Sequence, residues 1–402
     1  SDLCCYVIGV EVFLRMTGGM IFNEYAKYTV MVFCFLGLLF QNFKSDKFIY
    51  IFLLLLLFPA IFIGLQEASY EVNLRKAMMF NISGQLTLLV AALYTLNKNI
   101  GYHDLIKIPY LIGLPILSIV SFIIVKSPSL REAMVSTQSN FATSGGFGPN
   151  QVSTILGLGT FCFFAIFMLY AKTKIEKSFA LILMVVCAFR GLLTMSRGGM
   201  ICGAIMIVIF MAYIFWFGNG KLKTNIIIMS VLGVLGFVVF WSYTVFASGG
   251  MIEKRYNNQD ARGRVKESVL TGREMLIESE FQMFLDNPIF GVGVGRNKEI
   301  REEMLGIQAA SHNEISRLFA EHGSFGVFIL LTQILIPLVL WVDNKRHILL
   351  IPFFIYWALT INHAAMRTAS PSFIYALTLL KVRFEPTSNK NENEDTVYRK
   401  QI

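Results

Sequence analysis

Charge is what this 402-residue chain has least of: only 15% of its residues are Asp, Glu, Lys or Arg, where a soluble domain carries about 25%. That shortage, with 55% hydrophobic residues and a mean hydropathy of +0.60, excludes a soluble globular protein of this size. Histidine is rarer still, at five residues, and the six cysteines (Cys4, Cys5, Cys34, Cys162, Cys187, Cys202) all fall in apolar runs. With no CxxC, no histidine at ligand spacing from them and no paired acidic motif, neither a metal site nor a disulfide framework is expected, and no cofactor is called for. Internal repeats are absent, and so is the basic, apolar and small-residue order of a cleavable leader at the start, where Ser1 stands in place of Met. The net charge of +9 could suggest nucleic acid as a partner; in so apolar a chain the placement of charge matters more than its sum, and no nucleic-acid binding is expected.

What the chain does have is long apolar runs. A membrane span needs about 20 mostly apolar residues. About twelve candidates stand near 3–16, 26–41, 48–65, 77–96, 106–126, 150–171, 179–195, 198–217, 224–247, 313–342, 348–363 and 371–383, the first and last being short. The expected fold is therefore an all-α membrane protein of about twelve transmembrane helices. Its parts are an N-terminal bundle of about nine spans over 1–247, an extramembrane loop with short helices over 248–312, C-terminal helices over 313–383 and a polar, disordered tail over 384–402.

Lysine placement orients it. With the N-terminus inside, alternate connections carry Lys44 and Lys47, Lys98 and Lys107, Lys172, Lys174 and Lys177, Lys221 and Lys223, Lys345 with Arg346, and the tail from Lys381. That is the positive-inside pattern. The opposite connections hold mostly arginine, including Arg15, Arg75, Arg131, Arg197, Arg273 and Arg367. A planar guanidinium suits bidentate contact with phosphate, so this segregation points to an anionic substrate on the outer side. Snorkelling to the headgroups is the other reading for any one of them.

Three of the outer positions coincide with expected helix starts. Arg197 opens a span within Met195-Ser196-Arg197-Gly198-Gly199-Met200, where free backbone N–H groups and the helix dipole favour an anion and glycine lets a phosphate approach. Thr271-Gly272-Arg273-Glu274 has capping-box spacing ahead of the amphipathic run MLIESEFQMFL, which places Arg273 on a first turn. Ser311-His312-Asn313-Glu314 repeats that spacing, which puts His312 on the first turn of the next span and favours a neutral, proton-accepting imidazole.

Asn150 at the start of the sixth span could bind a sugar or phosphate oxygen or could simply cap its helix; Asn313, His363, Arg367 and Arg131 complete the candidate substrate-binding set. Arg317 and Glu321, four residues apart beside His322, read as a satisfied intramembrane pair. The string FGVGVG at 290–295 lacks the βαβ setting of a dinucleotide loop and reads as a tight-packing loop over the membrane surface.

The ordered motifs GGFGPNQ (145–151), TMSRGGM (194–200), TGRE (271–274), DNPIFGVGVGR (286–296) and SHNEISRLFAEHGSFG (311–326) resemble the O-antigen ligase and polymerase superfamily. The resemblance runs from about 145 to 330. It implies a C-type glycosyltransferase architecture in a bacterial inner membrane, with a periplasmic loop between spans nine and ten capping the active site. It also implies metal-independent, inverting transfer of a glycan from undecaprenyl diphosphate, with Arg197 and Arg273 on the diphosphate and His312 as base or acceptor-positioning group. The motifs favour the lipopolysaccharide O-antigen ligase branch, whose acceptor is the lipid A core and whose other partners are membrane lipids. Repeat-unit polymerase, protein O-oligosaccharyltransferase and lipid-linked glycan transporter are the alternative functions.

Overall fold

Apolar runs of these lengths must close their own backbone hydrogen bonds in lipid, and helices do so within a single segment. A computed structural model describes residues 2–67, 74–128, 133–266 and 273–383, the side chains of Leu74 and Arg75 excepted. Its helices are α1 (Asp2–Thr17), α2 (Tyr25–Leu39), α3 (Phe48–Leu55), α4 (Phe58–Glu67), α5 (Leu74–Thr95), α6 (Tyr102–Lys126), α7 (Pro149–Ala165), α8 (Lys174–Leu193), α9 (Arg197–Phe217) and α10 (Gly220–Ala247). They continue with α11 (Met251–Tyr256), α12 (Arg273–Asp286), α13 (Asn297–Leu305), α14 (Glu314–Asp343), α15 (Leu350–His363) and α16 (Ala369–Leu377). Among the described residues seven helices are long and apolar enough to cross a membrane, α3 and α4 counting together as one, and α2 and α15 are shorter apolar helices.

The stretch expected as a last span over 371–383 instead forms the nine-residue α16 and then a three-residue strand. Nine residues rise about 14 Å, half of what a bilayer core requires. That strand, β2 (Lys381–Arg383), pairs in parallel with β1 (Asn99–Gly101), a small addition to a helical fold. The tail over 384–402 and the expected cap Thr271 lie outside the described residues, as does Arg131. All six cysteines are buried and unbridged.

The described residues fall into two compact units that interleave along the chain. The first draws on Ser1–Lys98, Lys266–Asp343 and Tyr356–Leu380, and the second on Asn99–Val265, Asn344–Ile355 and Lys381–Ile402. The long loop is thus shared between them, with 248–265 in the second unit and 266–312 in the first. In the second unit α7 is the central helix, starting with Pro149 at its first position and buried almost throughout, against α6, α8 and α9. Its backbone meets that of α9 at glycines: a Cβ on Gly157 would stand 2.1 Å from the Gly199 carbonyl oxygen, and one on Gly199 would stand 2.3 Å from the Ser153 carbonyl carbon.

In the first unit α5 packs against α2, α3 and α16, and α12 packs against α13 and α14. The glycine string is the main departure from expectation here. Helix α14 breaks at Gly323, whose φ of 58° and ψ of −138° leave the helical region. The break lies about 14 Å along the axis from Glu314, which is mid-bilayer depth for a span. The segment 288–295 fills it: Val292 donates its N–H to Ala320 O at 2.8 Å, Gly293 to Glu321 O at 3.2 Å, and Ser324 donates back to Pro288 O at 2.8 Å. Val294 also donates to Ala60 O of α4 at 2.9 Å. The string does not lie over the surface; it enters the bundle and satisfies the carbonyls that the break releases, which is what permits irregular backbone at that depth.

Gly291 pays for none of this with a side chain: its φ is +73°, and a Cβ there would stand 2.4 Å from the Glu321 carbonyl carbon. Gly291→Ala is expected to destabilise the protein by more than about 3 kcal/mol, since positive-φ strain and a backbone clash combine. Thermal unfolding in detergent checks this, and a wild-type midpoint would contradict the inserted loop.

Within each unit the connections between helices meet one another. Connections assigned to one side meet each other: Asn97 Nδ2 donates to Asp46 Oδ2 at 2.6 Å, and β1 pairs with β2. Those assigned to the other side do likewise: Arg15 donates to Arg367 O at 3.1 Å, Arg296 pairs with Glu67, and Arg255 donates to Met195 O at 2.9 Å.

Candidate functional site

The first unit gathers His312, Asn313, Arg273, His363 and Arg367 at one end of its helices. Helix α14 begins at Glu314, later than the capping-box spacing suggested. Its cap is Asn313, whose Oδ1 accepts the N–H of Ile315 at 2.8 Å and of Ser316 at 3.4 Å. His312 therefore precedes the cap and does not sit on the first turn. The other end of the Asn313 amide donates to Asn362 Oδ1 at 2.8 Å, so its side chain is occupied in holding the end of α15.

Two guanidiniums surround this corner. Arg273, first residue of α12, donates from Nη1 to His363 O at 3.0 Å. Arg367, in the turn between α15 and α16, donates from Nη2 to Ser311 O at 3.0 Å, the peptide oxygen immediately before His312. Burial first, then the positive charges of Arg367 and Arg273, lower the His312 pKa to about 4. The imidazole is therefore neutral at pH 7, as expected, but because of burial and neighbouring cations more than a helix dipole. Its Nδ1 is buried without a hydrogen-bond partner. Arg367 is itself drawn down to about 10 by burial and by Arg317 and Arg273, and stays charged at neutral pH.

The carboxylates nearby are committed elsewhere. Glu280 of α12 ion-pairs with Arg301 of α13 and accepts the hydroxyls of Ser311 at 3.2 Å and Ser316 at 2.5 Å, residues that flank His312. Arg301 also reaches Ser279 Oγ at 2.9 Å and the Ala309 carbonyl, which ties down the loop leading to His312. Burial raises the Glu280 pKa against these donors. Both ions are fully buried, and removing one partner of such a pair costs about 3–5 kcal/mol.

Deeper in the same unit, both oxygens of Glu314 accept from Arg317, whose Nη1 donates to Asn81 Oδ1 at 2.9 Å. Asn81 in turn donates to Glu321 Oε1 at 2.5 Å, which also accepts the Gly295 N–H at 3.0 Å. The expected ion pair of Arg317 and Glu321 is thus corrected: Arg317 pairs with Glu314, and Asn81 stands between it and Glu321. His363 Nδ1 lies 2.7 Å from Leu359 O on its own helix.

The second unit holds Arg197 and Asn150. Asn150 Oδ1 accepts the Ser196 hydroxyl at 2.8 Å, and Ser153 Oγ donates to Ser196 O at 2.7 Å, so Asn150 braces the start of α9. Met195 enters that helix at a φ of 58°, an unusual conformation for a non-glycine residue, and Arg255 of α11 holds its carbonyl. Arg197 itself donates to Arg255 O at 3.4 Å. Gly199 packs closely against Ser153 of α7.

Glu280, Arg301 and Arg255 were not singled out from the sequence. Glu280 left a readable sign: it falls on the buried stripe of Leu276, Ser279 and Met283, where a carboxylate requires a partner. Among the described residues no three His, Cys, Asp or Glu side chains gather as metal ligands.

The structure so far defines a multi-pass membrane protein with a neutral histidine beside two arginines at the end of a helical bundle. Residues 179–331 match the family model described as O-antigen ligase, and over that stretch the match supports the superfamily resemblance carried by the motifs. No curated protein matches the chain.

The charge state gives a pH prediction. Because the His312 pKa is lowered to about 4, the imidazole remains a proton acceptor well below the ordinary histidine value of about 6.5. The acid limb of kcat/KM is expected below pH ~5, and to move upward in Arg367→Ala, which removes one of the two positive neighbours. A limb at pH ~6.5 in the unmodified protein would contradict a buried, cation-flanked imidazole.

Proposed function

We propose that this protein is an O-antigen ligase, which transfers a completed glycan from undecaprenyl diphosphate to a hydroxyl of the lipid A core. The observation that carries the reading is the neutral His312 imidazole in the joint field of Arg273 and Arg367, inside the segment that matches the family. The acceptor oxygen attacks the anomeric carbon opposite the diphosphate, which inverts that centre. His312 takes the hydroxyl proton as the new C–O bond forms. The old C–O bond breaks with its electron pair on the diphosphate, whose growing charge the guanidinium of Arg273 balances. Arg367 and His363 border the same corner and contribute donor or acceptor contacts, and Asn313 holds the loop. Arg197, at the start of α9 in the second unit, is assigned an anion-binding role on the strength of its motif alone, and Asn150 supports that helix start. The reaction calls on no metal and no cofactor. The lysine rule puts this face on the periplasmic side of a bacterial inner membrane, with a C-type glycosyltransferase plan.

The family covers polymerases as well as ligases, and both use the same donor. Purified protein given undecaprenyl-diphosphate oligosaccharide, with rough lipopolysaccharide or with further lipid-linked repeats as acceptor, separates them. Product on lipopolysaccharide is expected; elongated lipid-linked chains would make the protein a polymerase. The transporter alternative draws some support from the mid-depth break at Gly323, but that break is filled by the backbone of 288–295. Donor uptake into vesicles without any transfer would favour it.

A further inference from the structure

Glu11 is a fully buried carboxylate in α1, well outside the family-matched segment. Such a buried charge costs several kcal/mol unless it is fully partnered. Its Oε1 accepts Arg15 Nη2 at 2.8 Å, an i,i+4 pair complete in itself. Both members nevertheless also hold one turn of the chain. Glu11 Oε2 accepts the N–H of Ala369, first residue of α16, at 2.8 Å, and Arg15 Nη2 donates to the carbonyl of Arg367 at 3.1 Å. The turn they grip contains Ala365 at a φ of 53°, a conformation that a non-glycine residue keeps only when its surroundings impose it. From this turn the Arg367 side chain reaches Ser311 O at 3.0 Å, next to His312.

We propose that Glu11 and Arg15 are positioning residues, which fix the turn over 364–368 so that the Arg367 guanidinium stands against the peptide that precedes His312. The inference rests on the assignment of His312 and Arg367 to the transfer site. It gives α1 a part in the chemistry through a chain of four contacts, none of which needs the substrate to touch α1. A pair that served only to neutralise itself would leave the turn to other groups.

The test uses the full-length protein in a reconstituted transfer assay with undecaprenyl-diphosphate oligosaccharide and rough lipopolysaccharide. Glu11→Gln is expected to lower kcat about tenfold with donor KM changed less than about twofold, and Arg367→Ala to lower it by at least as much. In the double variant the Glu11→Gln effect is expected to vanish, since the group it positions is gone. Multiplying losses, or an Arg367→Ala protein with normal turnover, would overturn the proposal. Arg15→Lys provides a second route where Glu11→Gln fails to fold: it keeps the ion pair, loses the fork, and is expected to show the same dependence on Arg367. Full activity of His312→Ala, by contrast, would bring down the transfer-site assignment itself.

Discussion

His312→Ala is expected to lower glycan transfer by about 10³-fold or more while leaving folding and membrane insertion intact. General-base catalysis contributes about 10²–10⁴, and the nearby carboxylates among the described residues are already engaged. Glu280 is engaged by Arg301, Ser311 and Ser316, and Glu314 by Arg317. Either carboxylate would have to leave a buried guanidinium unpaired to accept the proton, at a cost of several kcal/mol. The fold is expected to survive because the His312 side chain has a buried, unpartnered Nδ1 and holds nothing together; the loop is fixed by Ser311, Asn313 and Ala309. Product analysis after reconstitution, beside elution profile and unfolding midpoint, checks both halves. Activity within about tenfold of the unmodified protein would remove His312 from the role of base.

The helices, and the meeting of Arg273, His312 and Arg367 at one end of the first unit's helices, were legible because each follows from a local property. Apolar length marks spans, lysine marks one side, and turn chemistry marks helix starts to within a residue or two. The break at Gly323 was not legible. Its reason lies in a segment about thirty residues earlier, whose N–H groups replace the helix hydrogen bonds, and a periodicity reading of α14 sees only an apolar run with a glycine in it. The shift of the cap from Ser311 to Asn313 has a similar origin: Ser311 had the right spacing, but its hydroxyl is drawn to Glu280 and to the Asn313 carbonyl.

Partner choice was the hardest thing to read. Arg317 has carboxylates at both i−3 and i+4, so spacing alone permits either; tertiary context decides, because Gly295 and Asn81 hold Glu321. The carboxylates buried at Glu11 and Glu280 were visible as charges on apolar faces, yet their partners, a backbone N–H 358 residues away in one case and an arginine 21 residues away in the other, are products of the fold.

The second large effect is expected at Arg273. Arg273→Lys keeps the charge but should lower kcat/KM for the donor about 10²-fold or more, and most of the loss should appear in kcat. Arg273 already spends Nη1 on the His363 carbonyl at 3.0 Å. A guanidinium can hold that carbonyl through one nitrogen and present another to a phosphate oxygen in a fixed plane. An ammonium carries its three N–H donors on one nitrogen without a fixed planar fork, so it is not expected to span the end of α15 and the leaving group as the guanidinium does. If it stays on His363 O, the departing diphosphate loses the donor it needs as charge develops, a loss of the oxyanion-hole kind, about 3–4 kcal/mol. If it turns to the diphosphate, the end of α15 loses its tie to α12. The two cases separate by experiment: the first leaves the unfolding midpoint unchanged, and the second lowers it. Near-normal turnover in Arg273→Lys would mean that point charge suffices and that no guanidinium fork from Arg273 meets the diphosphate.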